Sequence, residues 1–107
     1  MRNYNKMSEK EQLEAVIQDG CNIQFIKNPS KAVQLEAVRE NSYVIRFIEN
    51  PSEAVQLAAI QNTGYAIQYI NNPSEAVQLA SVKKNSYVLE CIENPSEAVR
   101  QATEEQN

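Results

Sequence analysis

The chain has no histidine, and its 107 residues include only two glycines, four prolines and two cysteines. Without histidine the commonest general base and metal ligand is missing. No Cys-x-x-Cys pair, P-loop, Gly-x-Gly-x-x-Gly stretch or Gly-x-Ser-x-Gly elbow occurs. Carboxylates are present, but none falls at an apolar position of the repeat described below, where burial would raise its pKa. The sequence is therefore not that expected of an enzyme, and no catalytic residue, metal ligand or cofactor is assigned. It also lacks an apolar run of about 18 residues, so no membrane span is expected. The opening MRNYNKMSEKEQ has no apolar core of a secretory signal.

Basic charge is in short supply as well. Ten Lys and Arg face 14 Asp and Glu, a net charge of −4, which argues against a nucleic-acid partner because phosphate binding needs a basic surface. The imbalance is local: residues 1–48 hold seven basic and six acidic side chains, residues 85–107 five acids and only Arg100. Hydrophobic residues make up 42%, enough for one folded domain with a modest core.

What the chain does have is a period. Asn-Pro-Ser recurs at Asn28, Asn50, Asn72 and Asn94, always 22 residues apart, and uses all four prolines. A fixed period in this range marks a solenoid whose units stack on their neighbours. The expected architecture is all-α: a short capped α-solenoid of 22-residue helix–turn–helix repeats. A tail (1–5) precedes repeats 6–27, 28–49, 50–71 and 72–93, and a capping half-repeat spans 94–107. Polar Lys10 and Glu11 in the first unit, and Arg100, Gln101, Thr103 and Glu104 in the last, suit the ends of a complete capped array.

Numbering each unit from its Asn-Pro-Ser, position 3 is Ser throughout (Ser8, Ser30, Ser52, Ser74, Ser96), an N-cap behind a helix-blocking proline. Glu9, Glu53, Glu75 and Glu97 follow it, matching the helix dipole. Helix A is expected over positions 4–13. Position 14 (Asp19, Asn41, Thr63, Asn85) can cap a second helix, and a Gly or Ser at position 15 permits the sharp turn. Helix B, positions 15–21, is too short to stand alone, and the sequence leaves open whether it is α or 3₁₀. The expected core is Ala54, Val55, Leu57, Ala59 and Ile60 from helix A with Tyr65, Ile67, Tyr69 and Ile70 from helix B. Alanines at positions 5 and 10 allow close helix approach. Cys21 and Cys91 occupy apolar slots three repeats apart, on the order of 25–30 Å, beyond disulfide reach. Core-facing free thiols suit a cytoplasmic location.

The stretch AVQLAAIQNTGYAIQYI resembles an uncharacterised microbial family of helical repeats whose units read A-V-x-x-N-G-Y-A-L-x-Y. The Asn-Pro-Ser-Glu opening is similar to that of leucine-rich repeat variant solenoids, which alternate α and short 3₁₀ helices. The resemblance covers residues 6–107 and implies a fold, not a function. The iron–sulfur cysteine cluster of some leucine-rich repeat variant proteins has no counterpart here.

Candidate binding residues are the polar positions held among apolar ones. Position 7 reads Gln12, Gln34, Gln56, Gln78, then Arg100. Either these amides form a ladder for an extended partner, or each bonds backbone groups of the next unit. Position 19 varies (Gln24, Arg46, Gln68, Glu90), as does position 12 (Ile17, Arg39, Gln61, Lys83); such positions either encode partner preference or are simply solvated. The candidate partner-binding set is Gln34, Gln56, Gln78, Arg46, Gln68 and Glu90. The tyrosines at position 16 (Tyr43, Tyr65, Tyr87) lack the interleaved basic residues of a nucleobase-stacking ladder and are expected in the core, as are Phe25, Phe47, Tyr69 and Cys91 at position 20.

The leading expectation is a small cytoplasmic protein–protein interaction module, an adaptor or occluding inhibitor, acting as a monomer or weak homodimer on an unidentified protein partner. One alternative is an acidic nucleic-acid mimic or nucleic-acid-associated regulator, built on Glu49, Glu53, Glu75, Glu93 and Glu97. Another is a homodimeric structural protein.

Overall fold

The structure, a computed structural model, describes residues 3–104, so the first two residues of the expected tail and the last three of the final half-repeat lie outside it. The described residues are all-helical. Five α-helices, α1 (Glu9–Gln18), α2 (Lys31–Glu40), α3 (Glu53–Asn62), α4 (Glu75–Lys84) and α5 (Glu97–Glu104), alternate with five 3₁₀ helices. These are η1 (Tyr4–Lys6), η2 (Gly20–Phe25), η3 (Ser42–Phe47), η4 (Gly64–Tyr69) and η5 (Ser86–Cys91). Each α-helix packs on the α-helices before and after it, and η2 to η5 pack on one another in the same order. The result is two layers, α and 3₁₀, in a body 48 × 21 × 18 Å.

The starts of the α-helices follow from the serines. Ser8, Ser30, Ser52, Ser74 and Ser96 each accept a hydrogen bond from the backbone N–H three residues on, at 3.1–3.3 Å. At α1 the cap is reciprocal, because the Ser8 N–H donates to Glu11 Oε1 at 3.0 Å. That bond, with a lesser contribution from the Ser8 hydroxyl, holds the Glu11 carboxyl below the usual carboxylate range. Asn28, Asn50, Asn72 and Asn94 adopt φ between 50° and 55°, the left-handed region that asparagine enters at low cost. One such residue reverses the chain; the proline after it fixes the approach to the next cap.

Asp19, Asn41, Thr63 and Asn85 each end one helix and start the next, accepting from the backbone N–H two residues on at 3.0–3.2 Å. The second helix of each unit is 3₁₀ rather than α, and this changes which side chains face inward. With three residues per turn, positions 15, 18 and 21 lie along one line and positions 16, 19 and 22 along another. The first line is buried: Ser42, Ile45 and Ile48 in η3 and its end, Gly64, Ile67 and Ile70 in the next unit. The second line faces solvent: Tyr43, Arg46 and Glu49 are all exposed.

The aromatic positions therefore differ from the expectation of a core. Tyr43 is 43% and Tyr87 75% exposed, Phe25 55% and Phe47 37%, and only Tyr65 and Tyr69 are half-buried. Cys91 is exposed too, and Cys21 half-buried, both as free thiols. Ala66 of η4 is buried. From the α layer, Val55, Ala59 and Ile60 are buried as expected, while Leu57 is half-buried and Ala54 exposed. Ala32, Ala76 and Ala98 share that exposure, so only the small residue at position 10 serves close approach.

The glycines at position 15 have no positive φ and are not there for the turn. A Cβ on Gly20 would meet the Ala37 carbonyl oxygen at 2.9 Å, and one on Gly64 the Ser81 carbonyl oxygen at 2.8 Å. They let the next α-helix come close. Between α2 and α3 an amide does the joining instead: Asn62 Nδ2 donates to the Val38 and Arg39 carbonyls at 3.0 and 2.9 Å, satisfying the end of the preceding helix.

Candidate functional site

The position 7 amides do not bond the next unit. Each bonds its own Asn-Pro-Ser turn, five residues back: Nε2 of Gln34, Gln56 and Gln78 donates to the carbonyls of Pro29, Pro51 and Pro73 at 2.9, 3.0 and 3.0 Å. A proline cannot donate and its carbonyl lies outside the helix ladder, so a side chain supplies the partner. In the first unit Gln12 Nε2 reaches the Tyr4 carbonyl at 3.0 Å, and in the last Arg100 Nε reaches the Pro95 carbonyl at 3.3 Å. Arginine and glutamine thus perform the same local task.

That bond occupies only the amide nitrogen. All three glutamines are half-buried and each lines a cleft between the 3₁₀ layer of one unit and the turn and 3₁₀ helix of the next. Among the described residues, three such clefts lie at successive unit boundaries, of about 650, 520 and 580 Å³ from the N-terminal end. Each is built from the same repeat positions, 19 and 21 on one side, the Asn-Pro turn with its glutamine in the middle, and 20 of the following unit opposite. Phe47, Ile48 and Glu49 are shared by the first and second clefts. Alternate residues of one segment line the second (Tyr69, Asn71) and the third (Gln68, Ile70, Asn72), so the three lie in one furrow along the stack.

The structure brings most of the candidate set together. Gln34 lines the first cleft with Gln24; Gln56 lines the second with Arg46; Gln78 lines the third with Gln68. Glu90 is exposed and lines none of the three. Position 12 belongs elsewhere: Gln61 and Lys83 border a separate hollow with Leu57 and Lys84.

Sequence reasoning missed the aromatic walls. At position 20, Phe25 lines the first cleft, Phe47 stands between the first and second, Tyr69 lines the second, and Cys91 takes the same place in the third. The rings are ordered by contacts with neighbouring exposed or half-buried side chains. Tyr4 stacks on Phe25 with ring centres 5.6 Å apart, and Tyr43 meets Tyr69 edge-on at 5.3 Å. The Arg46 guanidinium carbon lies 4.8 Å from the Phe47 ring centre and 6.0 Å from that of Tyr69. The available signal was the invariant spacing of three between apolar positions 18 and 21, against Tyr/Cys and Phe/Tyr/Cys variation at 16 and 20.

Each cleft can thus offer an amide, a variable polar side chain and an isoleucine flank, and the first two add an aromatic wall. That combination suits the side chains and backbone of a polypeptide. Among the described residues no cluster of histidine, cysteine or carboxylate side chains could hold a metal ion, and no helix is long and apolar enough to cross a membrane.

The two roles of position 7 are separable. Gln56→Ala leaves the Pro51 carbonyl to water and is expected to cost about 1 kcal/mol. Gln56→Arg retains the bond, as Arg100 does, and is expected to stay within about 0.5 kcal/mol of the parent. Urea titration checks both; equal losses would show that the carbonyl bond is not what the glutamine contributes. In comparisons with protein-family models, curated proteins and solved structures, nothing matched this chain.

Proposed function

We propose that the protein is a small, non-catalytic interaction module, an α-solenoid of the leucine-rich repeat variant kind, that holds an extended segment of a partner protein along the three clefts. Acting from the cytoplasm, it serves as an adaptor or occludes the partner's own binding segment. The observation that carries this reading is the recurrence of one cleft, built from the same positions, at three consecutive unit boundaries.

Extended peptides suit such a furrow for a geometric reason. Packed helices repeat at about 8–10 Å, and an extended chain advances about 3.3 Å per residue. Every third partner residue therefore meets a new cleft. The free amide oxygens of Gln34, Gln56 and Gln78 are placed to accept from partner backbone N–H groups, which gives affinity without sequence demand.

The test is selection from a displayed library of random 12-residue peptides on the parent protein. Enriched sequences are expected to share residue preferences three apart, and binding is expected to fall in Gln34→Arg/Gln56→Arg, which crowds two clefts while sparing the proline bonds. Lys83→Glu, on the other hollow, is expected to leave binding unchanged. Failure to enrich any peptide, or binding indifferent to the cleft substitutions, would overturn the reading.

A further inference from the structure

The three clefts are built from the same repeat positions, and one of these, position 19, differs in charge. Position 19 is neutral in the first and third (Gln24, Gln68) and cationic in the second (Arg46). Arg46 is exposed, and the groups ordering it among the described residues are ring faces rather than carboxylates: Phe47 at 4.8 Å and Tyr69 at 6.0 Å. Ring faces order a guanidinium while leaving its in-plane N–H groups free, because the attraction runs perpendicular to the plane in which those groups donate. A positioned, rigid fork of donors at a cleft mouth is what a carboxylate requires for two parallel hydrogen bonds.

We propose that the central cleft is a carboxylate subsite, in which Arg46 receives an Asp or Glu side chain from the extended partner segment while the flanking clefts take uncharged residues. This rests on the furrow being a peptide site, and deepens that reading by naming the chemistry of the middle residue. Charge favours a carboxylate over a phosphate. Glu49 lines the same cleft and lies one 3₁₀ turn beyond Arg46 on the same exposed ridge, so a dianion would meet a nearby like charge that a single negative charge meets less. Gln56, Asn50 and Asn71 supply the remaining polar lining without further charge. The subsite also gives the furrow a register. A single acidic residue between neutral ones docks best in one alignment, because the neighbouring clefts offer glutamine at this position and Lys27, which lines the first cleft, lacks the planar fork of an arginine.

The experiment compares peptides selected on the parent protein with their binding to three variants. Arg46→Gln installs the residue found at Gln24 and Gln68, so the fold is expected to melt as the parent does. The parent selection is expected to enrich Asp or Glu at one position, three residues from each neighbouring preference. Arg46→Gln should weaken those peptides about ten- to a hundredfold, the scale of a charge-assisted pair. Arg46→Lys, which keeps the charge without the planar fork, should fall between. Arg46→Glu should enrich Lys or Arg at the same position in a fresh selection.

If peptides are enriched without an acidic preference, or bind Arg46→Gln as tightly as the parent, the carboxylate subsite is wrong and the furrow reading stands. If none are enriched, both fall. A phosphoserine peptide that outcompetes its glutamate counterpart would overturn the choice of carboxylate.

Discussion

Ile60→Ala is expected to destabilise the protein by about 2–5 kcal/mol, measured as a drop in the urea midpoint at unchanged slope. Ile60 sits in the middle α-helix and is 2% exposed. It belongs to the single hydrophobic cluster that joins the two layers, alongside Val38, Val55, Ile67 and Val82. Truncation there removes three carbons of buried surface and leaves a space the neighbouring helices cannot close without separating. Total stabilities of small domains are about 5–15 kcal/mol, so one substitution at this point removes a large share. In a linear stack the loss also falls on the interfaces coupling the two halves.

Leu57→Ala is the matched control. Position 8 is half-buried at Leu13, Leu35, Leu57 and Leu79 alike and borders the open hollow at Lys83 and Lys84. Its expected cost is about 1–2 kcal/mol, the transfer energy of a partly buried leucine. A Leu57 loss equal to that of Ile60 would show that the buried stripe of the α-helices extends to position 8.

The two positions show where the sequence was readable. Serine caps, proline stops and the 22-residue period define the α-helices almost to the residue, because capping is local chemistry between groups three residues apart. The buried pair at positions 18 and 21 was equally visible as isoleucine after isoleucine. What the sequence left open was the pitch of the second helix and which of its apolar residues face inward. At about 100° per residue Tyr43 and Phe47 already lie roughly 100–160° away from Ile45 and Ile48, and at three residues per turn the isoleucines align and turn inward together with the aromatics off their line. The expectation of a core rested on the apolar character of the rings and not on their register. The aromatic walls of the clefts were thus assigned to the core, although the glutamines and Arg46 beside them were already candidates. Gln56 was a second ambiguity. A polar residue repeated at one position satisfies a backbone carbonyl and lines a cleft with the same side chain, so neither reading excluded the other.

Gly64→Ala is the second large effect, and its sign is informative. Gly64 has an ordinary negative-φ backbone, so on local grounds alanine should stabilise by about 0.4–1 kcal/mol through a less flexible unfolded chain. Packing opposes this. The new Cβ would lie 2.8 Å from the Ser81 carbonyl oxygen and 3.3 Å from Val88 Cγ1. The first of these is α4 backbone, which cannot rotate away as a side chain does. Moving α4 outward would loosen Val77 and Val82, both fully buried. Overpacking of this kind costs about 1–3 kcal/mol, more than the entropic gain, so the expected net change is destabilising. Ser42 occupies the same position one unit earlier and carries a Cβ there, so Ser42→Ala is expected to be close to neutral. The pair distinguishes a steric requirement at one interface from a general intolerance of side chains at position 15. A Gly64→Ala protein more stable than the parent would show that α4 and η4 are less closely apposed than described, and with them the third cleft, whose lining includes Ile67 and Gln78 from these same elements.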